Sequence, residues 1–405
     1  MPNIEPLTAM VIPAKQSMRI SSIDFLRGIV MIIMALDHVR DYFHTGAFLY
    51  DPLDLEKTNT ALFFTRWITH FCAPVFVFLA GTSAFLVGQR KTKKELSLFL
   101  FKRGLWLILL ELTLINFEWN FDITFTNIYF IVIWALGISM IVLAGLIYLP
   151  YKLILLIGVV LVAGHNLLDN IHVTGNNLPA FGWALLHDQN FFTWNGKNIL
   201  VGYPVLPWIG VMALGYCIGI LYTAAFSPEK RKKMLLSIGG SAIGLFIIIR
   251  LINVYGDPSP WTHQQSTFHT FLSFIKTTKY PPSLLYILMT LGPAILFLAF
   301  TENIKNSMSR VISVYGRVPM FYYVLHIFLI HLFTMVAAEL FTNYSWKDWL
   351  LKQPLWFAED LKGYGFSLGI VYLVWLAIVI GVYPLCKWYD KYKTNHKEKW
   401  WLSYM

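Results

Sequence analysis

Ten apolar segments, each close to the length that crosses a lipid bilayer, divide the sequence. A helix needs about 20 mostly apolar residues to span the hydrocarbon core, and segments of this kind alternate with short polar connections along the 405-residue chain. They lie at 22–43, 61–87, 104–118, 126–148, 152–167, 204–225, 234–254, 282–300, 311–337 and 365–386. The sequence therefore predicts an all-α, polytopic membrane protein with about ten transmembrane helices.

The composition excludes the main alternatives to a membrane protein. Charged residues make up 13% of the chain and hydrophobic residues 57%, whereas soluble domains carry about 25% charged residues. Too little charge is present to cover the surface of a soluble enzyme of this length. The three cysteines lie in or beside apolar segments, and we interpret them as packing thiols that belong neither to a disulfide framework nor to a metal site.

The distribution of basic residues predicts the orientation of the chain. Twenty lysines and arginines fall on one side of the predicted spans, seven on the other, and five within spans. The positive-inside rule then predicts that both termini are cytoplasmic. We expect a cytoplasmic tail at 1–18, one transmembrane domain at 19–388 and a basic cytoplasmic tail at 389–405. The net charge of +10 reflects this topology, so nucleic acid is not a predicted partner.

The first span carries more ionisable side chains than a membrane anchor needs. On a helix, Asp24, Arg27, His38 and Asp41 fall within a stripe about 100° wide, and such residues inside a membrane are functional candidates. His38 and Asp41 are three positions apart, so the carboxylate is predicted to orient the imidazole ring. Alternatively, Asp24 and Arg27 form an ion pair at the membrane interface.

The outer end of this span has a second interpretation as well. Asp37, Arg40 and Asp41 together are also typical of a solvated helix end. In the second span, Arg66 and His70 share one helix face, and Arg66 is predicted either to serve the site or to pair with Asp37 or Asp41 as part of the scaffold.

The ninth span adds two further candidates, Arg317 and His326. A single histidine on an aromatic-rich helix is more often a hydrogen-bonded packing residue than a reactive one.

Four stretches of the sequence carry a resemblance to known acyltransferases. The run DFLRG at 24–28, followed by His38, resembles the first helix of the acyltransferase-3 family, where an Asp-x-x-Arg run precedes a histidine at the same spacing. The stretches THFCAPVFVFLAGTSAFL (69–86), YPVLPWIGVMALGY (203–216) and YGRVPMFYYVLH (315–326) are similar to bacterial proteins related to heparan-alpha-glucosaminide N-acetyltransferase.

The resemblance implies an enzyme of the bacterial cell (inner) membrane that moves an acetyl group from cytoplasmic acetyl-CoA, its co-substrate, to an acceptor on the opposite side. The acceptor implied is an amino sugar or another glycan, and the other partner is the lipid bilayer. In the lysosomal enzyme of this group the histidine credited with catalysis lies in the loop after the first helix. The position matching His38 is not histidine there. Both His38 and the loop residue His44 are therefore candidates here, and the oligomeric state is left open.

The chemistry of acyl transfer assigns roles to these residues. The attacking amine or hydroxyl must lose a proton, which favours histidine as the base, and arginine suits phosphate and oxyanion binding. We predict His38, Asp41, Asp37 and His44 as catalytic candidates. Asp24, Arg27, Arg66, His70, Arg317 and His326 are the predicted substrate or acyl-CoA ligands.

Two other classes of function compete with this interpretation. A proton-coupled transporter or exporter would also place Asp, His and Arg inside the membrane, although no internal repeat is visible in the sequence. A membrane scaffold or sensor without chemistry would leave the polar stripe of the first span unexplained.

Overall fold

The computed structural model describes residues 20–403, a predominantly helical chain with one small sheet. Its helices are α1 (Ser21–Phe43), α2 (Thr60–Ile68), α3 (Cys72–Gly88), α4 (Lys93–Leu110), α5 (Asn116–Asn120), α6 (Val132–Leu146), α7 (Tyr151–Gly164), α8 (Leu178–Leu186), α9 (Leu206–Ile218), α10 (Pro228–Ile252), α11 (Thr267–Ile275), α12 (Leu284–Thr301), α13 (Ser307–Arg317), α14 (Pro319–Phe341) and α15 (Leu368–Asn395). The strands are β1 (Asn127–Phe130), β2 (Asn190–Trp194) and β3 (Lys197–Val201).

Within residues 20–403, six helical segments are long and apolar enough to cross a membrane: Thr60–Gly88, Tyr151–Leu168, Pro228–Ile252, Leu284–Thr301, Pro319–Phe341 and Leu368–Asn395. The prediction of a helical membrane protein is confirmed at this level. The other four predicted spans coincide with α1, α4–α5, α6 and α9, which are shorter or more charged. The total of ten spans and the cytoplasmic location of both termini stay predictions.

Three predicted spans differ from the helices observed. Pro319 divides the ninth span into α13 and α14, because a proline lacks the backbone N–H and forces the preceding residue out of helical geometry. The third span begins earlier than expected, at a capping box in which Thr92 and Glu95 satisfy each other's backbone N–H. The fourth span opens with strand β1, so its helix begins only at Val132.

One small three-stranded sheet accompanies the helices of this chain, which is otherwise helical as predicted. β3 pairs in parallel with β1 and antiparallel with β2, with Tyr129 opposite Leu200 and Phe192 opposite Ile199. The β2–β3 hairpin turns at Asn195-Gly196, where both φ angles are positive, 50° and 73°. An Asn-Gly pair is the strongest short-range hairpin signal, and this one lies between the fifth and sixth predicted spans.

Helix α1 packs against α3, α13, α14 and α15 and contacts α13 through two glycines. A Cβ on Gly28 would lie 2.1 Å from the Ile312 carbonyl oxygen, and one on Gly316 would lie 2.0 Å from that of Asp24. Larger residues are therefore excluded, and the two backbones touch. This contact holds Arg27 of α1 beside Arg317 at the end of α13.

Of the two predicted tails, only the C-terminal one lies largely within the residues that the structure describes. The tail predicted at 1–18 lies outside the described residues. The tail predicted from residue 389 is helical at first, because α15 continues to Asn395.

Candidate functional site

A cavity of about 760 Å³ lies between α1, α3, α4, α6 and α14. Its lining residues on α1 extend from Arg27 to Asp41, which at 1.5 Å per residue is about 21 Å along the helix. The cavity is therefore elongated, and we call its two ends the Arg27 end and the His38 end.

Four cationic side chains line the Arg27 end: Arg27, Arg103, Arg317 and Lys393. Arg27 donates hydrogen bonds to the Gly316 carbonyl oxygen and to Ser83 Oγ, both at 3.0 Å, and lies 3.4 Å from Asp24 Oδ1. Arg317 donates to Asp390 Oδ2 at 2.7 and 2.9 Å. These contacts hold two guanidinium groups in the cavity wall, where an anionic ligand would meet them.

Asp37 is the centre of an ion cluster at the His38 end. Its carboxylate accepts from Arg66 Nη1 at 2.6 and 2.9 Å and from Arg40 Nη2 at 2.8 Å. Lys279 Nζ lies 3.9 Å from the same carboxylate, and Arg40 also donates to Asp41 at 2.7 Å. Three cations and two carboxylates therefore meet at this end, with one positive charge in excess. The Arg66–Asp37 contact is the ion pair expected if Arg66 belongs to the scaffold.

His38 lines this end of the cavity, but its orientation differs from the prediction. The expected partner, Asp41, accepts from Arg40 instead. The Nδ1 atom of His38 lies 2.8 Å from His326 Nε2, and Trp119 and Tyr323 flank the ring with centroids 5.1 and 6.2 Å away. Helix spacing brings Asp41 within reach of His38, but the guanidinium of Arg40 attracts the Asp41 carboxylate more strongly.

The predicted site residues divide into two groups. Those that line the cavity are Asp37, His38, Asp41, Arg27, Arg66 and Arg317. The remaining four lie behind its wall or beyond the end of α1 and are buried: Asp24, His44, His70 and His326. Three of the four residues of the predicted α1 stripe, Arg27, His38 and Asp41, therefore line one cavity, and Asp24 does not.

His44, the loop candidate, follows the last residue of α1. Its backbone pairs with Phe366, and its Nδ1 accepts a hydrogen bond from the Gly46 backbone N–H at 3.1 Å. Burial, together with the charge of Arg40, lowers the pKa of His44. The residue is therefore held neutral as part of a turn.

Sequence reasoning missed two cavity residues that lie beside the Asp37 cluster. Lys279 is one of the seven basic residues on the predicted outer side of the membrane, and Tyr280 follows it in the sequence. Both line the cavity, with Lys279 Nζ 5.1 Å from the Tyr280 ring centroid. Nothing in the local sequence distinguishes Lys279 from the other outer lysines, because only the return of the chain between α11 and α12 brings it to Asp37.

Metal ligands are not clustered in residues 20–403, where no three His, Cys, Asp or Glu side chains approach one another closely enough to hold an ion.

The fold and cavity define a helical membrane protein with an internal polar site. The family model described as heparan-alpha-glucosaminide N-acetyltransferase, catalytic, matches residues 19–249. The chain belongs to this family of membrane acetyltransferases. The matched range includes His38, His44 and Arg66, whereas Lys279, Arg317 and His326 lie beyond it. No curated protein matches the chain significantly.

Proposed function

We propose that this protein transfers the acetyl group of acetyl-CoA to an acceptor, with the two substrates meeting at the His38 end of the cavity. The observation that carries the proposal is the arrangement of one cavity with a cationic end and a histidine end, in a member of an acetyltransferase family. The acceptor we propose is an amino sugar or another glycan. The alternative is a proton-coupled transporter, for which the same cavity would be a transport path.

In this proposal the Arg27 end binds the phosphates of acetyl-CoA. Coenzyme A is polyanionic, and arginine guanidinium groups bind phosphate oxygens through paired, charge-assisted hydrogen bonds. Arg27, Arg103, Arg317 and Lys393 supply four positive charges. With both termini in the cytoplasm, this end faces the cytoplasm, where acetyl-CoA is found.

The pantetheine arm would then follow the apolar wall of α3 toward His38. Arg27 and His38 are eleven residues apart on α1, about 16 Å along its axis. The α3 side chains on this wall repeat every three or four residues, as one face of a helix does, and they are Ala73, Phe76, Val77, Ala80, Ala84 and Val87. A thioester placed between Trp119 and Tyr323 would meet the His38 ring.

At the His38 end, the acceptor amine or hydroxyl gives its proton to His38 Nε2 and attacks the thioester carbonyl carbon. The tetrahedral intermediate carries a negative charge on oxygen. The excess cation of the Asp37 cluster, Lys279, is the proposed group that stabilises this oxyanion. The intermediate collapses as the C–S bond breaks, and the coenzyme A thiolate takes the proton from His38.

The test is transfer of label from radioactive acetyl-CoA by purified protein to a panel of amino sugars and neutral sugars. His38→Asn keeps a side-chain N–H in the place of Nδ1 and removes the base, so we expect the rate to fall by about 10²–10⁴-fold. His44→Ala, the matched control, should retain most of the activity.

The other outcomes of this experiment are equally informative. Inactive His44→Ala with active His38→Asn would place the chemistry in the loop. Label that stays on acid-quenched protein would show an acetyl-enzyme intermediate. Uptake of label into vesicles without acetylation of any acceptor would support the transporter instead.

A further inference from the structure

His38 and His326 form a direct hydrogen bond between two buried imidazole rings. His38 Nδ1 and His326 Nε2 are 2.8 Å apart, the ring centroids are 5.0 Å apart, and the planes are within 14° of parallel. His326 is fully buried, and its Nδ1 lies 2.7 Å from the Tyr322 carbonyl oxygen, one turn earlier on α14. The chain of contacts therefore links a backbone carbonyl to the residue in the cavity.

The Tyr322 carbonyl at the end of this series of hydrogen bonds determines which ring nitrogens carry protons. A carbonyl oxygen only accepts, so His326 Nδ1 must carry a proton and donate it to Tyr322. In a neutral ring the other nitrogen is then an acceptor, and His326 Nε2 has to accept from His38. His38 Nδ1 therefore carries the proton, and the lone pair of His38 lies on Nε2, the nitrogen left for the cavity that the residue lines.

The surroundings of the pair keep it in this arrangement. The Tyr322 ring is parallel to the His326 ring within 11°, at a centroid distance of 4.8 Å. Trp119 packs against the His38 ring with the two planes nearly perpendicular. The carboxylates nearest in sequence, Asp37 and Asp41, are both engaged by Arg40, so neither is the hydrogen-bond partner of His38 Nδ1.

We propose that His326 is a positioning residue that fixes the tautomer of His38, so that its basic Nε2 faces the reacting groups. The inference rests on the proposed function, since it assigns the device that prepares the base. His326 contacts His38 and not the cavity, and it acts only through that ring.

A neutral partner has a consequence for proton transfer that a carboxylate would not have. When His38 Nε2 takes the acceptor's proton, His38 Nδ1 still donates to His326 Nε2, and the new positive charge strengthens this hydrogen bond. The hydrogen-bond partner of the imidazolium is a neutral ring and not a carboxylate, in contrast to a His–Asp pair. His38 therefore releases its proton readily to the leaving thiolate, and the neutral starting state returns.

An NMR experiment can determine the His38 tautomer without a measurement of activity. In full-length protein labelled with ¹⁵N-histidine, NMR distinguishes protonated from unprotonated ring nitrogens, and His38→Asn assigns the His38 signals. We expect a protonated Nδ1 and a free Nε2 in the unaltered protein. His326→Phe, which keeps a ring but has no acceptor, should let the proton move to Nε2, whereas His326→Gln, whose Oε1 stands in for Nε2, should keep it on Nδ1.

Activity of the same variants completes the test. His326→Phe should lower kcat by about 10² to 10⁴-fold, as a wrong tautomer does in a histidine-based hydrolase, with the KM for acetyl-CoA unchanged and partial rescue in His326→Gln. The control is His331→Phe on the same helix, where a buried histidine contacts two carbonyl oxygens at 2.8 Å. It should lower stability but leave the His38 signals unchanged.

Two results would overturn the inference: a proton on His38 Nε2 in the unaltered protein, or an unchanged tautomer and kcat in His326→Phe. An inactive protein with the expected tautomer would instead count against acetyl transfer, so the two proposals fail separately.

Discussion

Both ends of the cavity contain clustered cations, but the two ends differ in the position of their carboxylates. At the Arg27 end Arg27 and Arg317 line the cavity, while the carboxylates that hold them, Asp24 and Asp390, lie behind the wall. At the His38 end the carboxylates Asp37 and Asp41 line the cavity beside their cations.

This difference indicates that the two ends have different functions. A cation whose counter-charge lies behind it presents positive potential to the cavity, which suits capture of an anion. A cluster in which cations and carboxylates alternate is largely self-neutralised and holds its members in fixed positions, which suits the orientation of reacting groups. Substitutions at the Arg27 end should therefore change mainly the affinity for the ligand. Substitutions at the His38 end should change mainly the stability and the rate.

The largest expected effect is on stability at the His38 end. Asp37→Asn removes the anion shared by Arg66, Arg40 and Lys279, and loss of one member of a buried ion pair costs about 3–5 kcal/mol. Thermal unfolding in detergent should show a clearly lower Tm. Arg66→Ala should cost less, because Asp37 keeps Arg40 and Lys279 as partners.

The matched control is Asp390→Asn at the Arg27 end, where Arg317 faces the cavity and is less deeply buried. Its Tm should change by less than that of Asp37→Asn. Equal losses at both ends would contradict the comparison.

A smaller effect, on affinity, is expected at the Arg27 end. Arg317→Ala removes one charge-assisted contact, and hydrogen bonds to charged groups contribute about 1.5–3 kcal/mol. The KM for acetyl-CoA should rise by about 10-fold or more, while the KM for the acceptor stays constant. Arg317→Lys, which keeps the charge, should recover part of the affinity, and a KM insensitive to both changes would contradict the proposal that the Arg27 end binds acetyl-CoA.

The smallest effect on stability is expected at Asp122, which forms an ion pair with Lys352 outside the membrane-spanning helices. Burial tends to raise the pKa of this carboxyl, but hydrogen bonds from Lys352, Thr124 and Thr126 outweigh it and hold the pKa well below its usual range. Lys352 Nζ lies 2.6 Å from Asp122 and is largely exposed, whereas Asp122 is buried. Asp122→Asn weakens a screened ion pair but keeps one acceptor oxygen for the neighbouring N–H groups, so it should cost about 1–2 kcal/mol.

The pH dependence of this pair follows from the lowered pKa. The folded state binds a proton less readily than the unfolded chain, so the stabilisation is complete above the unfolded pKa of about 3.9 and is lost as the pH falls below it. Unfolding of the unaltered protein and of Asp122→Asn should therefore converge as the pH is lowered. A difference that persists at low pH would show that the hydrogen bonds matter without the charge.

The sequence by itself determined the membrane class, the approximate helix positions and most of one wall of the cavity. The length of an apolar segment is set by bilayer thickness, and the 3.6-residue period places Arg27, His38 and Asp41 on one face of α1 whatever α1 packs against. These features are local, and they can be derived without knowing which helices are neighbours. The Asn195-Gly196 turn belongs to the same class, because the signal for it lies in two adjacent residues.

Only the tertiary structure decided which charges meet. Asp41 was within reach of His38 by spacing, yet Arg40 engages it, and His326, 288 positions further along the chain, takes its place. Lys279 reaches Asp37 because α11 and α12 return the chain to the cavity. In a buried cluster each charge selects the partner that compensates it best, and the choice depends on every element that borders the site. Periodicity along one helix carries no information about those other elements.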